Sequence, residues 1–111
     1  NDNSATDARA SVSRFFAAFE SRDGAGACEE LTEGAAAELE KGSGEPCDRA
    51  VLELELAPSR VAAVSVATVD AKADLVGGGA AFLEETSTGW RISAIGCEAR
   101  PGQPYDCQLA A

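Results

Sequence analysis

The period of the apolar residues changes at Pro58, and this change does most to limit the folds open to the chain. Before Pro58, apolar residues recur every three or four positions, as on one face of a helix. After Pro58 the sequence is rich in Val and Thr, and its period shortens toward two, which is typical of strands. Helices that come first and strands that follow predict an α+β fold with the helices on one face of a sheet.

The first half of the chain predicts four helices. The longest runs from about Thr6 to Arg22, with Ser4 or Thr6 as its cap. Three short helices follow, and Asp23 is a suitable cap for the first of them. The sequence GSGEP interrupts the helical pattern before the last one. The apolar stripe of the long helix consists of Val12, Phe15, Phe16 and Phe19, and the short helices are predicted over 24–31, 32–41 and 47–56.

The second half predicts four strands, in the segments VAAVSVATVD, KADLVG, GAAFLEET and WRISAIGC. Turns are indicated near Asp70, at 77–79 and at 87–89. Such short links between consecutive strands predict a four-stranded antiparallel meander. The three glycines at 77–79 lack the Lys-Ser/Thr end of a phosphate-binding loop, so they are interpreted as a hairpin turn.

The length of the chain bounds its organisation. With 111 residues, 45% of them hydrophobic, the chain can bury one core and is too short for two. Residues 1–5 are small and polar, and we expect a flexible tether there, followed by a single domain over 6–111. No run reaches the roughly 18 apolar residues of a membrane-spanning helix, so no transmembrane segment is predicted.

The net charge of −10 restricts the partners. Nucleic-acid affinity depends on Lys and Arg side chains that displace counterions, so a nucleic-acid partner is not expected. Anionic membrane surfaces are disfavoured for the same reason. Between 20 and 55 the chain has eleven acidic and three basic residues, which we interpret as a solvated face rather than as a partner-binding surface.

Four cysteines and no histidine allow a zinc site, redox chemistry or two disulfides. Structural zinc sites use cysteines two to four residues apart, and dithiol catalysis uses C-x-x-C. The sequence contains neither spacing, so we predict no metal and two disulfides. Because disulfides persist in exported proteins, this predicts an extracytoplasmic location, secreted or at the cell surface and possibly lipid-anchored before trimming.

Four cysteines allow three pairings. Their proximity in the sequence favours Cys28 with Cys47 and Cys97 with Cys107. Cys28 lies on the second predicted helix and Cys47 at the head of the fourth, so a bridge would pin helices too short to be stable alone. Cys97 ends the last predicted strand, and the loop EARPGQPYD can turn back to bring Cys107 to it. The C-terminal tail is therefore predicted to be clipped to the sheet, and each bridge to contribute roughly 2.5 to 3.5 kcal/mol.

Without histidine, the commonest general base is missing. An acid/base enzyme would need a buried carboxylate near a Tyr. Solvated carboxylates are the favoured interpretation, so no catalytic residue and no cofactor are predicted. The carboxylates considered are Asp70, Asp74, Glu84 and Glu85 beside the strands, with Tyr105 and Asp106 in the tail.

Several phrases carry a family resemblance: FFAAFESRDGAGAC, GEPC, GWRISAIGC and PGQPYDC. With the order of helices and strands, they make the chain resemble the nuclear transport factor 2-like superfamily, in particular its small secreted proteins and lipoproteins of bacteria. The resemblance implies a cystatin-like cone in which a curved sheet wraps around the long helix and leaves a cavity at its open end. Some relatives are enzymes, such as ketosteroid isomerase, and others only bind. None of the phrases is a catalytic motif.

These observations predict a non-enzymatic domain that binds a small apolar ligand or a protein. One alternative is an isomerase, cyclase or dehydratase with a buried carboxylate. Another is an accessory domain that forms a homodimer through its sheet face, as sheets of this superfamily often do. Tyr105 is considered as a lid over the mouth of the cavity, although a structural role is favoured for it. The pocket-lining candidates are Phe16, Phe19, Phe82, Trp90 and Tyr105.

Overall fold

The computed structural model describes residues 3–111, and it confirms an α+β fold in which helices precede an antiparallel sheet. The helices form one layer and all the strands belong to one sheet. The elements are α1 (Ser4–Glu20), α2 (Gly24–Glu29), α3 (Glu33–Ser43), α4 (Cys47–Ala50) with a 3₁₀ turn (Val51–Glu53), β1 (Val61–Ala67), β2 (Asp70–Leu75), β3 (Ala80–Thr86), β4 (Gly89–Arg100) and β5 (Gln103–Ala110).

Helix α1 buries the predicted apolar stripe against the sheet. Phe15 is fully buried, and its ring packs edge-on against Phe16 at 5.5 Å between centroids. The start of the helix differs from the expected tether over 1–5, because Ser4 and Ala5 are already helical and Ser4 is buried. Asn3, rather than Ser4 or Thr6, occupies the cap position. Residues 1 and 2 lie outside the described part of the chain.

The short helices α2 and α3 are capped by side chains that the sequence places at their starts, whereas α4 has no side-chain cap. The Asp23 carboxylate accepts a hydrogen bond from the Gly26 N–H at 3.0 Å, as predicted, and the Thr32 hydroxyl accepts one from the Ala35 N–H at 3.0 Å. The predicted fourth helix over 47–56 is too long, because the backbone turns extended at Leu54. An extended segment therefore leads from this helix to the sheet.

The sheet has five strands in the order β1-β2-β3-β4-β5, so the predicted four-stranded sheet is wrong by one strand. Strand β4 continues past Cys97 to Arg100, and the chain reverses near Gly102, whose φ is +68°. The C-terminal tail then pairs antiparallel with β4, with Cys107 opposite Cys97. The tail is thus the fifth strand of the sheet rather than a loop fastened to its end.

A second set of contacts ties the helical layer to β4. The chain between α2 and α3 runs beside this strand, where Leu31 forms a parallel bridge with Ile92. The Ile92 N–H donates to the Glu30 carbonyl at 2.7 Å, and the Thr32 N–H donates to the Ile92 carbonyl at 2.9 Å. These bonds fix the α2–α3 connection against the start of β4.

None of the helices within residues 3–111 combines the length and apolar character that crossing a bilayer demands.

Candidate binding cleft

A cleft of about 680 Å³ opens at the end of the sheet where β2 turns into β3. Residues 55–59, here called the strap, cross this end between the 3₁₀ turn and β1. The β2–β3 turn and the part of β4 around Gly96 complete the walls. The cleft is therefore built mostly from connecting segments rather than from the faces of regular elements.

The strap is held at both ends. At one end the Gln108 side chain bonds the Glu55 main chain twice: its amide oxygen accepts from the Glu55 N–H at 2.8 Å, and its amide N–H donates to the Glu55 carbonyl. At the other end the Ser59 hydroxyl donates to the Val76 carbonyl at 2.9 Å, and the Val76 N–H donates to the Arg60 carbonyl at 2.8 Å. The strap thus bridges β5 and the β2–β3 turn.

The base of the cleft is apolar. Phe16 from α1 lines it while remaining only 5% exposed, and Ala80 and Cys97 are each 1% exposed. Leu56 and Pro58 of the strap add apolar side chains to the wall. Because Phe16, Ala80 and Cys97 expose little surface, a ligand in the cleft would mainly meet the strap and the main chain of the rim.

Glycines keep the rim open. Gly77, Gly78 and Gly79 have φ of +88°, +105° and +87°, the left-handed region that other residues rarely adopt. A Cβ at Gly77 or Gly78 would meet no atom within 4 Å, so both face open space. Gly96 has a different role, since a Cβ there would lie 3.0 Å from Leu56 Cδ2, and its absence lets the strap approach β4.

The charged residues that line the cleft are Glu55 and Glu98, and both are exposed. The lining contains no Lys or Arg among the residues that the structure describes. Both carboxylates lie in solvent at the rim, away from the apolar base. Chemically, the cleft offers apolar surface, main-chain groups and two solvated anions.

Phe16 is the one predicted pocket residue that lines this cleft. Phe19 is buried in the core, and Trp90, also buried, borders a separate pocket of about 250 Å³. Phe82 and Tyr105 pack edge-on at 5.1 Å outside the cleft lining. Tyr105 therefore lies away from the cleft, and the lid that was considered beside the favoured structural role does not form there.

The Phe82 and Tyr105 pair lies on the sheet face opposite the core. Lys72, the cross-strand neighbour of Phe82, alternates along β2 with Ala71 and Ala73, which are buried. The Lys72 ammonium lies 5.7 Å from the Tyr105 ring centre. Hydrogen bonding to Tyr105 and the charge of Asp74 raise the pKa of Lys72.

The carboxylates that were considered for catalysis also lie away from the cleft. Asp70, Asp74, Glu84 and Glu85 are absent from its lining. Asp74 pairs with Lys72 at 3.4 Å, and Asp106 pairs with Arg100 at 2.8 Å. The structure thus does not bring these carboxylates together at a cavity.

The structure also contains a buried polar cluster that the sequence patterns did not indicate, at Glu30, whose exposure is only 8%. Its carboxylate accepts from the Ser11 hydroxyl at 2.9 Å and from the Arg14 guanidinium at 2.9 and 3.1 Å. Arg91 approaches the same carboxylate at 3.8 Å. Hydrogen bonding to Glu30 raises the pKa of Arg14. The signal for this cluster was the pair of polar residues at i and i+3 on α1, Ser11 and Arg14.

The four cysteines form the two predicted bonds, Cys28 with Cys47 and Cys97 with Cys107. The first joins α2 to α4, and the second crosses from β4 to β5 at the base of the cleft. Across residues 3–111, no group of three or more His, Cys, Asp or Glu side chains is arranged to hold a metal ion.

Comparison with known family models, with curated proteins and with solved structures found no match for this chain.

Proposed function

We propose that this chain is a non-enzymatic, extracytoplasmic binding domain of the nuclear transport factor 2-like type, and that it holds a small apolar molecule in the cleft. The observation that carries the proposal is the pre-formed concavity of the cleft, whose lining combines main-chain and polar groups with the apolar side chains of Leu56 and Pro58, above a floor at Phe16. Small-molecule sites are typically concave and pre-formed, and they place polar groups among apolar side chains.

The size of the cleft supports a small ligand. A volume of about 680 Å³ lies within the range of roughly 300 to 1,000 Å³ that small-molecule pockets occupy. The strap is anchored at both ends, and the β2–β3 turn presents no side chain at Gly77 or Gly78, so the cleft is open without any rearrangement. Because the cleft is small and its strap is anchored at both ends, a folded protein fits into the cleft less well than a small molecule does.

The placement of the carboxylates supports binding without catalysis. A general acid or base must lie within hydrogen-bond reach of the reacting group, and acid/base sites of this kind place a carboxylate in an apolar environment. Here the carboxylates that line the cleft, Glu55 and Glu98, are exposed at its rim. Within residues 3–111 the one strongly buried carboxylate, Glu30, is bonded to Ser11 and Arg14 and lies outside the cleft lining.

Two observations support the location and the fold type. The chain has two disulfides, and disulfides persist mainly outside the reducing cytosol. The order of a long aromatic-bearing helix, short helices and an antiparallel sheet with a cleft at one end agrees with the cone-shaped superfamily that the sequence resembles.

Binding of a neutral, apolar fluorescent dye such as Nile red tests the proposal. We expect saturable 1:1 binding to the wild type. Ala57→Trp, in the strap, fills the cleft and should weaken binding at least about tenfold, or about 1.4 kcal/mol. Ala37→Trp is the matched control, because Ala37 is exposed on α3 outside the cleft lining, and it should bind as the wild type does. Absence of saturable binding, or equal binding by both variants, would reject the cleft as a ligand site.

A further inference from the structure

The cleft is the middle part of a longer groove. A second pocket of about 520 Å³ shares part of the cleft lining, including Glu98 and Gln108. A third pocket of about 240 Å³ shares Pro58, Ser59 and Val76 with the cleft and no residue with the second pocket. The groove therefore has room for an elongated molecule rather than only for a compact one.

The lining of the cleft combines exposed apolar side chains with negative charge. Leu56 and Pro58 of the strap lie beside Val76, which retains 48% of its accessible surface although it is a large apolar residue. Glu55 and Glu98 line the same cleft and are exposed. A molecule that covers both kinds of surface needs an apolar chain and a polar or charged group.

The two carboxylates have no cation of their own. Within residues 3–111, neither Glu55 nor Glu98 takes part in an ion pair. Glu98 lies directly opposite Asp106 in the β4–β5 ladder, and like charges at opposed positions destabilise a ladder. Arg100 binds Asp106 at 2.8 Å and so compensates only one of the two acids. A cation from outside the chain would compensate the other.

We propose that the ligand of the cleft is a cationic amphiphile, an alkyl chain that ends in an ammonium group. This ligand class rests on the proposed function, because it concerns the same cleft. The chain lies along Leu56, Pro58 and Val76, and the ammonium lies at Glu98, where the cleft meets the second pocket. Glu55 adds a second negative charge at the rim.

An anionic amphiphile fits the groove less well. The cleft lining contains no Lys or Arg among the residues that the structure describes, and Arg100 in the second pocket is already bound to Asp106. The net charge of −10 also repels anions from the whole surface and attracts cations to it. An uncharged amphiphile is neither repelled nor attracted, so it provides the reference for both charged ones.

The preference for a cation is expected to be modest, because the carboxylates are exposed and water and salt screen them. At about 10 mM salt, we expect an ammonium ligand to bind about fivefold tighter than its uncharged analogue, and a carboxylate analogue about fivefold weaker. At about 1 M salt the screening length falls to roughly 3 Å, and the three affinities should converge.

Displacement of Nile red by octylammonium, octanol and octanoate tests the ligand class. The three compounds have the same number of carbon atoms and differ in charge at pH 7. If octylammonium does not displace the dye better than octanol does, the cationic ligand is rejected, whereas saturable dye binding still supports the cleft. If Nile red itself does not bind saturably, the proposed function fails.

A charge-neutralising variant tests the role of Glu98. Glu98→Gln should lower the preference for octylammonium over octanol from about fivefold to about twofold. The ratio of the two affinities is the measure, because a distorted cleft would weaken both ligands alike. Glu29→Gln is the matched control, since Glu29 is exposed and lies outside all three pockets, and it should keep the ratio near fivefold. An equal fall in both variants would reject Glu98 as the group that selects the charge.

Discussion

The two ends of strand β4 are built in opposite ways. At its start, near Trp90 and Arg91, the chain buries the Glu30 carboxylate and satisfies it with Ser11 and Arg14. Near its other end the wall consists of Gly96, the strap and a glycine turn, and a cleft remains open. A charge network makes one end of the sheet the more closed one, with a pocket of about 250 Å³, whereas small residues and main chain keep the cleft of about 680 Å³ open at the other end. The buried charge network and the proposed ligand cleft thus lie at different ends of one strand.

The largest loss of stability is expected from removing the Glu30 carboxylate at the more closed end of the sheet. Glu30→Ala leaves the fully buried Ser11 hydroxyl without its acceptor and removes the charge-assisted bonds of Arg14. We expect the free energy of unfolding to fall by about 3 kcal/mol in urea denaturation. Glu30→Gln should lose less, because an amide oxygen can still accept from Ser11.

The matched control for the closed end is Glu29→Ala, since Glu29 is the exposed neighbour of Glu30 at the end of α2. Its effect should stay within about 0.5 kcal/mol. Equal losses for the Glu29 and Glu30 variants would show that the buried carboxylate has no special role in stability.

A smaller effect is expected where the strap approaches β4. Gly96 and Gly102 have nearly the same φ, +69° and +68°, so Ala costs about 1 kcal/mol at either position from backbone strain alone. At Gly96 the new Cβ would also lie 3.0 Å from Leu56 and Gln108, whereas Gly102 faces open space. We therefore expect Gly96→Ala to lose about 2 kcal/mol and Gly102→Ala about 1 kcal/mol in thermal unfolding. Equal losses of stability for the two variants would mean that the strap moves away from the new Cβ at Gly96 without a cost.

The smallest effect on stability is expected from the anchor of the strap. Gln108→Ala removes both side-chain bonds to the Glu55 main chain and should cost about 1 kcal/mol. Its clearer signature is local, because the Glu55 N–H loses its acceptor and should exchange its hydrogen faster in NMR measurements. Gln103→Ala, on the same strand, should leave the Glu55 exchange rate unchanged. An unchanged rate in the Gln108 variant would contradict the anchoring role.

Much of the fold could be predicted because its signals are local. The stripe of Val12, Phe15, Phe16 and Phe19 specifies α1, and alternation after Pro58 specifies strands. The fifth strand could not be found in this way, since the segment QPYDCQLA contains a proline and no regular apolar alternation. It is held by its pairing with β4. The signal that was available is the position of Cys97 and Cys107, which lie five residues on either side of Gly102.

The cleft was harder to predict than the fold. The sequence predicts aromatic residues as the lining, yet Phe19 and Trp90 fill the core, and Phe82 packs against Tyr105 on the other face of the sheet. The actual walls are the strap and the glycine turn, whose contribution is mainly backbone. Sequence patterns report which side chains are apolar, but they do not report where connecting segments leave a gap.

The strap also determines how the helical half and the sheet half of the molecule are covalently connected. Cys28–Cys47 lies wholly before the strap and Cys97–Cys107 wholly after it. A single cut within 55–59 would divide the chain into a helical fragment and a sheet fragment, each with its own disulfide and with no covalent bond between them. The core would then be the interface of a heterodimer, and the strap is the tether that gives its two halves a high effective concentration.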